Sequence, residues 1–269
     1  MSTIPPEDID TQGHAGLLIG SQWSPPGDPT WVAVIAHGYG EHIGRYQWVA
    51  ERLTADGAVV YGHDHVGHGR SEGERVLIED FERVVDDLHL LVQRAHEEHP
   101  DLPLVLIGHS MGGMIAARYT QRHPETLTAT VLSGPVLGSW EPTALADLDE
   151  IPPTPIDITT LSRDPDVGRA YEADELVWHG DFTRPTLLAL RACLETITAG
   201  GRLQVPTIWL HGADDQLVPI DRSDEGWAHI APDGAPSKRY PGARHEIFNE
   251  TNREEVLDDA LAFVHEHIG

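Results

Sequence analysis

The sequence predicts an α/β protein in which a mostly parallel central sheet is flanked by helices. Short apolar runs alternate along the 269 residues with segments whose apolar positions recur at helical spacing, a pattern typical of a parallel sheet with helices on both faces. The runs are apolar on both faces, as expected for buried parallel strands. No internal repeat interrupts the pattern, and the length allows a sizeable buried core.

The strands are expected in the following order. The stretch around Leu17–Trp23 alternates and predicts an antiparallel hairpin strand at one edge of the sheet. Buried parallel strands are predicted at Trp31–Ala36, Ala58–Tyr61, Leu104–Ile107, Ala129–Leu132 and Thr207–Leu210, followed by a strand near Arg239 and Tyr240.

Helices are expected between these strands. The predicted segments are Arg45–Ala55, Glu79–His99, Met111–Arg122, Arg184–Ile197 and Arg253–His267. In the second of them, Phe81, Val84, Val85 and Leu88 form an apolar stripe at i, i+3 and i+4 spacing, which predicts packing against the core. The last segment is expected to close the fold.

Residues 137–200 break the alternation. The stretch is rich in proline and acidic residues, as in IPPTPID and SRDPD, and it is too long for a connecting loop. Its apolar side chains, among them Leu161, Tyr171 and Trp178, need a surface to bury against, which disfavours a disordered acidic linker. We therefore predict a cap formed by residues 137–200 over the C-terminal edge of the sheet, and a core formed by residues 1–136 and 201–269.

The chain is strongly acidic, with 44 acidic and 18 basic residues, a formal net charge of −26 and a single lysine, Lys238. Such a surface repels phosphate backbones, which argues against a nucleic-acid partner. Either adaptation to high salt or a GC-rich genome that favours arginine would explain this composition.

Location is predicted from what the sequence lacks. No run approaches the roughly 20 apolar residues that span a bilayer, and the N-terminus has neither the basic nor the apolar region of a secretory signal. Cys193 is the only cysteine, so no internal disulfide is expected. These features predict a cytoplasmic protein without stable membrane insertion.

The motif GHSMGG at residues 108–113 follows a predicted strand and opens a predicted helix. Its small residues allow a tight turn that holds Ser110 in a strained conformation above the sheet, near the positive end of the helix. This is the nucleophile elbow of the α/β-hydrolase fold. The sequence therefore predicts that fold, with Ser110 as nucleophile.

A serine nucleophile needs a base, and this fold places an acid and then a histidine after the serine in the chain. His245 and Asp215 follow two predicted strands at the C-terminal edge, where open α/β sheets build their sites. His245 is expected to take the serine proton while Asp215 orients its ring. Asp214 competes for this role; the usual H-G-x-x-D spacing favours Asp215, which leaves Asp214 to bond the local loop backbone.

An oxyanion hole needs two convergent backbone donors. The N–H of Met111, directly after the nucleophile, is one candidate. The second is expected in His37-Gly38-Tyr39-Gly40, where glycines allow close approach of the backbone to substrate, and the N–H of Tyr39 is the preferred donor. A metal site at His63, His65 and His68 is an alternative use of that histidine-rich stretch, but its glycines favour a tight turn. No metal or cofactor is predicted, and Cys193 is expected to be a small apolar residue in a helix.

Five ordered motifs carry a resemblance to a known family. They are HGYGEHIGRY (37–46), HDHVGHGRSEG (63–73), GHSMGG (108–113), HGADDQLVP (211–219) and YPGARHEIFNE (240–250). Together they resemble the monoacylglycerol lipases, especially the bacterial ones, within the wider group of lysophospholipase-like hydrolases. The match runs over nearly the whole chain from about residue 30, and the cap stretches around Leu161 and Tyr171 share it.

The resemblance implies hydrolysis of a monoacylglycerol to glycerol and a fatty acid through an acyl-enzyme, without a cofactor. It implies Ser110, Asp215 and His245 as the triad and Tyr39 and Met111 as the oxyanion donors. It further suggests Glu41, Arg45 and Tyr171 as substrate contacts, with the first two in a polar niche near the glycerol end; a loop-stabilising salt bridge between them is the alternative. Two departures from the family pattern are a shorter, more acidic start of the cap, at Gly138–Pro155, and Glu175 where the family often has proline.

Several functions share these features. A general carboxylesterase or a lysophospholipase is the main alternative, and a perhydrolase or acyltransferase would use the same triad. A dehalogenase or epoxide hydrolase is disfavoured because it needs an aspartate at position 110. A non-catalytic ligand-binding protein is disfavoured because every triad residue is present. The expected partner is a small lipid ester, with transient contact between the cap and a lipid interface; the oligomeric state stays open.

Overall fold

An eight-stranded sheet runs through the protein in the computed structural model, which describes residues 4–269. The first three residues, which belong to the predicted core segment and to the N-terminus tested for a signal, lie outside the described residues. The strands are β1 (Glu7–Gly13), β2 (Gly16–Trp23), β3 (Trp31–Ala36), β4 (Ala58–His63), β5 (Leu104–His109), β6 (Ala129–Ser133), β7 (Thr207–Gly212) and β8 (Ser237–Tyr240).

The strand order is β1-β2-β4-β3-β5-β6-β7-β8. The pairs β1–β2 and β2–β4 are antiparallel, and all other neighbours are parallel. The predicted α/β class with a mostly parallel sheet is confirmed. Every residue of β3, β4, β5, β6 and β7 is buried, because helices cover both faces of the sheet.

The edge of the sheet differs from the prediction. The stretch Leu17–Trp23 does form an antiparallel strand, β2, but β1 pairs along its outer side and is the edge strand. β1 was not predicted from its sequence, EDIDTQG, in which only Ile9 is buried. A polar edge strand that faces water carries little of the apolar signal that marks a strand.

Helices cover the two faces of the sheet. They are α1 (Gln47–Ala55), α2 (Phe81–Glu98), α3 (Met111–Arg122), α4 (Pro165–Ala173), α5 (Arg184–Ala199), α6 (Ile220–Ile230) and α7 (Arg253–Ile268). Side chains of α1 and α7 pack into one core, and those of α2, α3, α5 and α6 into the core on the opposite face. The predicted helix at Arg45 begins later, at Gln47, because residues 43–46 form a 3-10 turn.

Residues 137–200 lie between β6 and β7 in the chain and contain α4, α5 and two 3-10 segments. Leu161, Tyr171 and Val177 form a small hydrophobic cluster of their own. The buried face of α5, by contrast, belongs to the same core as α2 and α3. The division into core and cap stays a prediction, and the name cap is used below for residues 137–200. Within residues 4–269, no helix combines the length and apolar character needed to cross a membrane.

Candidate active site

Ser110 occupies the turn between β5 and α3, with φ 56° and ψ −119°. This left-handed conformation is unfavourable for a residue with a Cβ. The turn is held because the Ser110 N–H donates to the Ser133 carbonyl at 3.0 Å. It also needs a glycine at position 112, since a Cβ there would collide with the Ala36 carbonyl. The hydroxyl is thereby fixed at the N-terminus of α3.

A chain of hydrogen bonds joins the three predicted triad residues. The Nε2 atom of His245 lies 2.9 Å from Ser110 Oγ, and its Nδ1 atom lies 2.7 Å from Asp215 Oδ2. Ser110 follows β5, Asp215 follows β7 and His245 follows β8. The C-terminal ends of these three strands lie at the same edge of the sheet and bring together residues that are 135 and 30 positions apart. The arrangement has the order and reach of a nucleophile, a base and an orienting carboxylate.

The Asp215 carboxylate accepts three hydrogen bonds and lies beside His211, whose Nε2–H donates to the Val218 carbonyl at 2.9 Å. Its Oδ1 accepts from the N–H groups of Leu217 and Val218, each at 2.9 Å. Its Oδ2 accepts from His245 and lies 3.2 Å from Nε2 of His211. The Trp209 indole donates to Nδ1 of His211 at 3.0 Å; because an indole N–H can only donate, the His211 proton resides on Nε2.

The neighbour Asp214 takes no part in this arrangement. Its side chain is exposed and accepts no hydrogen bond from another described residue, and only its backbone N–H is engaged, donating to the Ala243 carbonyl at 2.9 Å. The expectation that the Asp214 side chain bonds the loop backbone is therefore wrong, since Asp215 itself accepts those bonds. Asp215 points inward because the loop folds around its carboxylate and supplies hydrogen-bond donors to it.

Electrostatics favour the charge distribution that catalysis needs. Burial opposes protonation of His245, but the Asp215 carboxylate outweighs it through its charge and hydrogen bond and raises the pKa of His245. Burial likewise opposes ionisation of Asp215, yet His245 and His211 together hold the pKa of Asp215 well below its usual range. The ionised Asp215 carboxylate therefore stabilises the protonated form of the His245 ring.

The two backbone amides predicted as oxyanion donors belong to Tyr39 and Met111. Tyr39 and Met111 line the same cavity as Ser110, and neither N–H donates to an acceptor in the described part of the chain. The Gly38 N–H is already engaged, because it donates to the Glu41 carboxylate at 2.6 Å. The name oxyanion loop is used below for residues 37–41, whose turn this bond fixes.

Glu41 and Arg45 form a buried ionic cluster with Glu246. The Arg45 guanidinium donates to Glu41 at 2.5 Å and to both oxygens of Glu246 at 2.8 Å, and the Tyr46 hydroxyl donates to Glu41 at 2.6 Å. Arg45 outweighs the burial of Glu41 and holds the pKa of that carboxyl below its usual range. These residues are thus both a salt bridge and a wall of the cavity. Tyr171 stands against them, with its ring centroid 5.0 Å from the guanidinium carbon.

The active-site cavity has a volume of about 340 Å³ and a distinct character at each end. Near Ser110 its wall is polar and includes Glu41, Arg45, His109 and Glu246. Burial, followed by the nearby His245, lowers the pKa of His109 to about 4, so its ring is neutral near pH 7. The remaining wall comes mostly from the cap and the loop after β7. Its apolar residues include Trp140, Leu161, Phe182, Leu190, Leu217 and Val218, and its polar residues include Glu141, Thr154, Asp157 and Gln216.

The cap contacts the oxyanion loop directly. The Trp178 N–H donates to the Gly40 carbonyl at 2.7 Å, and the rings of Phe182 and Tyr39 lie 4.8 Å apart between centroids. Beside the loop, His42 Nε2 lies 2.9 Å from the Asp174 carboxylate. The oxyanion loop is therefore packed between the sheet and the cap.

The histidine-rich stretch at residues 63–68 packs against His37 at the start of the oxyanion loop. His65 donates its backbone N–H to Nε2 of His37 at 2.9 Å, so the Nδ1–H of His37 donates to the Gly38 carbonyl at 2.8 Å. His68 Nδ1 lies 2.9 Å from the Val66 carbonyl. Burial lowers the pKa of His37, His65 and His68. Residues 4–269 contain no group of three or more His, Cys, Asp or Glu side chains that could hold a metal ion.

Sequence reasoning did not identify Glu246, Phe182 or His211. Glu246 follows His245 directly, but its partner Arg45 is 201 positions away, and no local pattern reveals such a pair. The ring of Phe182 meets Tyr39 only through the fold of the cap. His211 opens the HGADD motif, and its position four residues before Asp215 was the one available signal.

Comparisons with known proteins identify the family of this chain. The family model described as serine aminopeptidase, S33, matches residues 27–252. A monoacylglycerol lipase of Mycolicibacterium smegmatis is 39% identical over 257 residues, which cover 91% of this chain and 92% of that protein. The monoglyceride lipase of Homo sapiens is 33% identical over 267 residues, covering 92% and 86%.

Among solved structures, the monoacylglycerol lipase of Paleococcus ferrophilus superposes with a TM-score of 0.81 at 26% identity, over 93% of this chain and 99% of that one. The predicted α/β-hydrolase fold and the family resemblance are thereby confirmed. The protein belongs to the serine aminopeptidase S33 family of α/β-hydrolases, in the group that contains the monoacylglycerol lipases.

Proposed function

We propose that the protein hydrolyses monoacylglycerols to glycerol and a free fatty acid, with Ser110, His245 and Asp215 as its catalytic triad. The observation that carries the proposal is the unbroken hydrogen-bond chain from Ser110 Oγ to Asp215, which opens into a cavity lined by both apolar and polar side chains. That position suits an ester bond between an acyl chain and a hydroxylated alcohol.

Acylation begins when Ser110 Oγ attacks the ester carbonyl and its proton passes to His245 Nε2. The negative charge that develops on the carbonyl oxygen is stabilised by the N–H groups of Tyr39 and Met111, each worth roughly 3 kcal/mol in the transition state. The bond from the carbonyl carbon to the glycerol oxygen then breaks. His245 gives its proton to that oxygen, and glycerol leaves an acyl-Ser110 intermediate.

Deacylation repeats these steps with water as the nucleophile. His245 takes a proton from the water, the hydroxide attacks the acyl carbon, and the fatty acid leaves as Ser110 recovers its proton. Throughout, Asp215 stays ionised and keeps the ring of His245 in one orientation. No cofactor is required for either half of this reaction.

The cavity favours esters with one acyl chain and a neutral head. Its volume of about 340 Å³ lies at the small end of the usual range for ligand pockets. The polar end presents two carboxylates against one arginine, and the chain carries a net charge of −26. A phosphorylated head group would be repelled there, whereas glycerol hydroxyls can donate to carboxylates.

We also propose transient contact between the cap and lipid aggregates. Two large apolar side chains of the cap, Leu148 and Leu188, are 45% and 46% exposed. Binding of the double variant Leu148→Ser/Leu188→Ser to neutral phosphatidylcholine vesicles is expected to fall below that of the wild type in a sedimentation assay. Equal sedimentation of the two proteins would contradict the contact.

A hydrolysis panel tests the main proposal. Monoacylglycerols with 8 to about 18 carbons, di- and triacylglycerols, lysophosphatidylcholine and a short p-nitrophenyl ester are compared by kcat/KM, with Ser110→Ala as the blank. We expect monoacylglycerols to be the best substrates. A preference for the short soluble ester, with monoacylglycerols at the level of the blank, would leave a general esterase in place of a lipase.

A further inference from the structure

A second cavity of about 220 Å³ lies beside the active-site cavity. The two share a wall made by Tyr39, Thr154, Tyr171, Phe182 and residues 155–156, whereas Ser110 and His245 line only the first. The name side cavity is used for this second space. Tyr39 and Tyr171 connect it to the polar end, because Tyr39 belongs to the oxyanion loop and Tyr171 packs against Arg45.

The shared wall contains three unsatisfied hydroxyl groups. The hydroxyls of Tyr39, Thr154 and Tyr171 are buried and have no hydrogen-bond partner among residues 4–269. Buried polar groups are nearly always paired, so three in one wall indicate a surface that is completed by something else. Burial raises the pKa of Tyr39 and Tyr171, so both phenols keep their protons and can donate as well as accept.

The rest of the side cavity has the chemistry of a site for neutral hydroxylated groups. Trp178 and His179 add aromatic surface to that of Tyr39 and Tyr171, and Glu172 adds a carboxylate that accepts from hydroxyl groups. Within the described residues, no lysine or arginine lines this cavity. A phosphate or sulfate would meet a carboxylate without a compensating cation, whereas a neutral polyol would find both acceptors and donors.

We propose that the side cavity holds the alcohol part of monoesters whose neutral polyol head is larger than glycerol, of the size of a single sugar. The proposal rests on the hydrolase function assigned to Ser110. The reaction is the same ester cleavage: Ser110 Oγ bonds to the acyl carbon, the bond to the sugar oxygen breaks, and His245 protonates that oxygen. Water then releases the fatty acid, so that one sugar ester and one water give one sugar and one fatty acid.

The experiment compares a glucose monoester with its glycerol counterpart. The kcat/KM for glucose 6-laurate is divided by that for glycerol monolaurate, with the anionic laurate ester of glycerol phosphate as a third substrate. For the wild type we expect the ratio of the glucose ester to the glycerol ester to be at least about one tenth. The kcat/KM for the anionic ester is expected to be clearly lower than that for the glucose ester. A ratio below about one tenth overturns the proposal. Equal kcat/KM values for the glucose ester and the anionic ester also overturn it.

Variants then assign the preference to the side cavity. In Thr154→Val/Glu172→Gln, loss of hydrogen bonds to the sugar is expected to lower the ratio about tenfold. The matched control Glu175→Gln, which removes the same charge at an exposed site outside both cavities, is expected to keep the wild-type ratio. A fluorophosphonate probe on Ser110 establishes that each variant is folded and active. An unchanged ratio in the double variant overturns the proposal.

The same assay separates the two proposals. Hydrolysis of the glycerol ester without the glucose ester contradicts the side-cavity proposal and leaves the lipase function intact. Hydrolysis of the glucose ester alone supports the side cavity and contradicts the monoacylglycerol assignment. Absence of both activities in probe-reactive enzyme contradicts both.

Discussion

The backbone N–H of Trp178 in the cap donates a 2.7 Å hydrogen bond to the carbonyl of Gly40, next to the proposed oxyanion donor Tyr39. Gly40 has a φ of 74°, so the loop passes through a conformation that favours glycine at this point. The ring of Phe182 supports the same loop through Tyr39. The cap therefore does more than cover the substrate: it is part of the structure that orients the oxyanion donor.

Removal of the Phe182 ring is expected to impair the chemical step more than substrate binding. In Phe182→Ala the ring of Tyr39 loses its contact with the ring of Phe182. Because the backbone N–H of Tyr39 is then held less firmly, kcat is expected to fall about tenfold. Steady-state kinetics with a monoacylglycerol measure kcat and KM separately. Leu90→Ala, at a 38% exposed site on α2 outside the active-site cavity, is the control. A rise in KM at unchanged kcat would show that Phe182 contributes only to binding.

The two neighbouring aspartates are expected to differ sharply. Asp215→Asn disturbs the tautomer and orientation of His245, and kcat is expected to fall by about 10⁴. Asp214→Asn changes an exposed side chain and is expected to stay within about twofold of the wild type. Single-substrate kinetics on both variants measure the contrast. The opposite pattern would assign the acid to Asp214.

The pH profile is expected to report the charge state of His245. The base acts only when neutral, and Asp215 raises the pKa of His245 above its ordinary value of 6.5. Activity should therefore rise with pH, with a midpoint in kcat/KM above 6.5. In Asp215→Asn the attraction is lost, and the midpoint of the residual activity should move to lower pH. An unmoved midpoint would mean that a different group controls the profile.

Loss of Arg45 is expected to destabilise the fold. Arg45→Met leaves Glu41 and Glu246 buried without a cation, which costs about 3–5 kcal/mol. Without Arg45 the pKa of the buried Glu41 rises in the folded variant, so the loss of unfolding free energy should shrink as the pH falls and Glu41 takes up a proton. Urea unfolding at several pH values measures this, with Arg169→Met, an exposed residue of α4, as the control. A loss of unfolding free energy that does not change with pH would contradict an ionic origin of the destabilisation.

The acidic surface is expected to make stability depend on salt. A net charge of −26 implies repulsion between carboxylates, and about 1 M NaCl screens charges beyond roughly 3 Å. The Tm is therefore expected to increase from low salt to about 1 M NaCl. A flat or falling Tm in a thermal scan would remove the case for adaptation to high salt.

Elements with strong periodicity could be predicted well from sequence. The strand Trp31–Ala36 and the helix Met111–Arg122 have the predicted bounds, because burial on both sheet faces and the GHSMGG turn leave clear signals. β1, α4 and α6 were missed because they are short or polar, and tertiary packing holds them.

Some residues of the candidate site could be predicted from local sequence, and others could not. Ser110, His245 and Asp215 lie in motifs at strand ends, so local sequence could identify them and the structure brings them within hydrogen-bond distance. The pairing of Arg45 with Glu246 and the contact of Phe182 with Tyr39 join distant segments. Such contacts depend on how the cap and the loops fold together, which no local pattern encodes.

The position of the cap between β6 and β7 has a consequence for how new specificities can arise. These two strands are parallel neighbours in the sheet, so residues 137–200 leave its C-terminal edge after β6 and return to its N-terminal edge before β7. The segment can be exchanged without changing the strand order, provided that the buried face of α5 still fits the core that it shares with α2 and α3. Such an exchange between relatives would replace the cap's part of the apolar wall and of the side cavity, while Ser110, His245 and Tyr39 remain on the recipient's own sheet and loops.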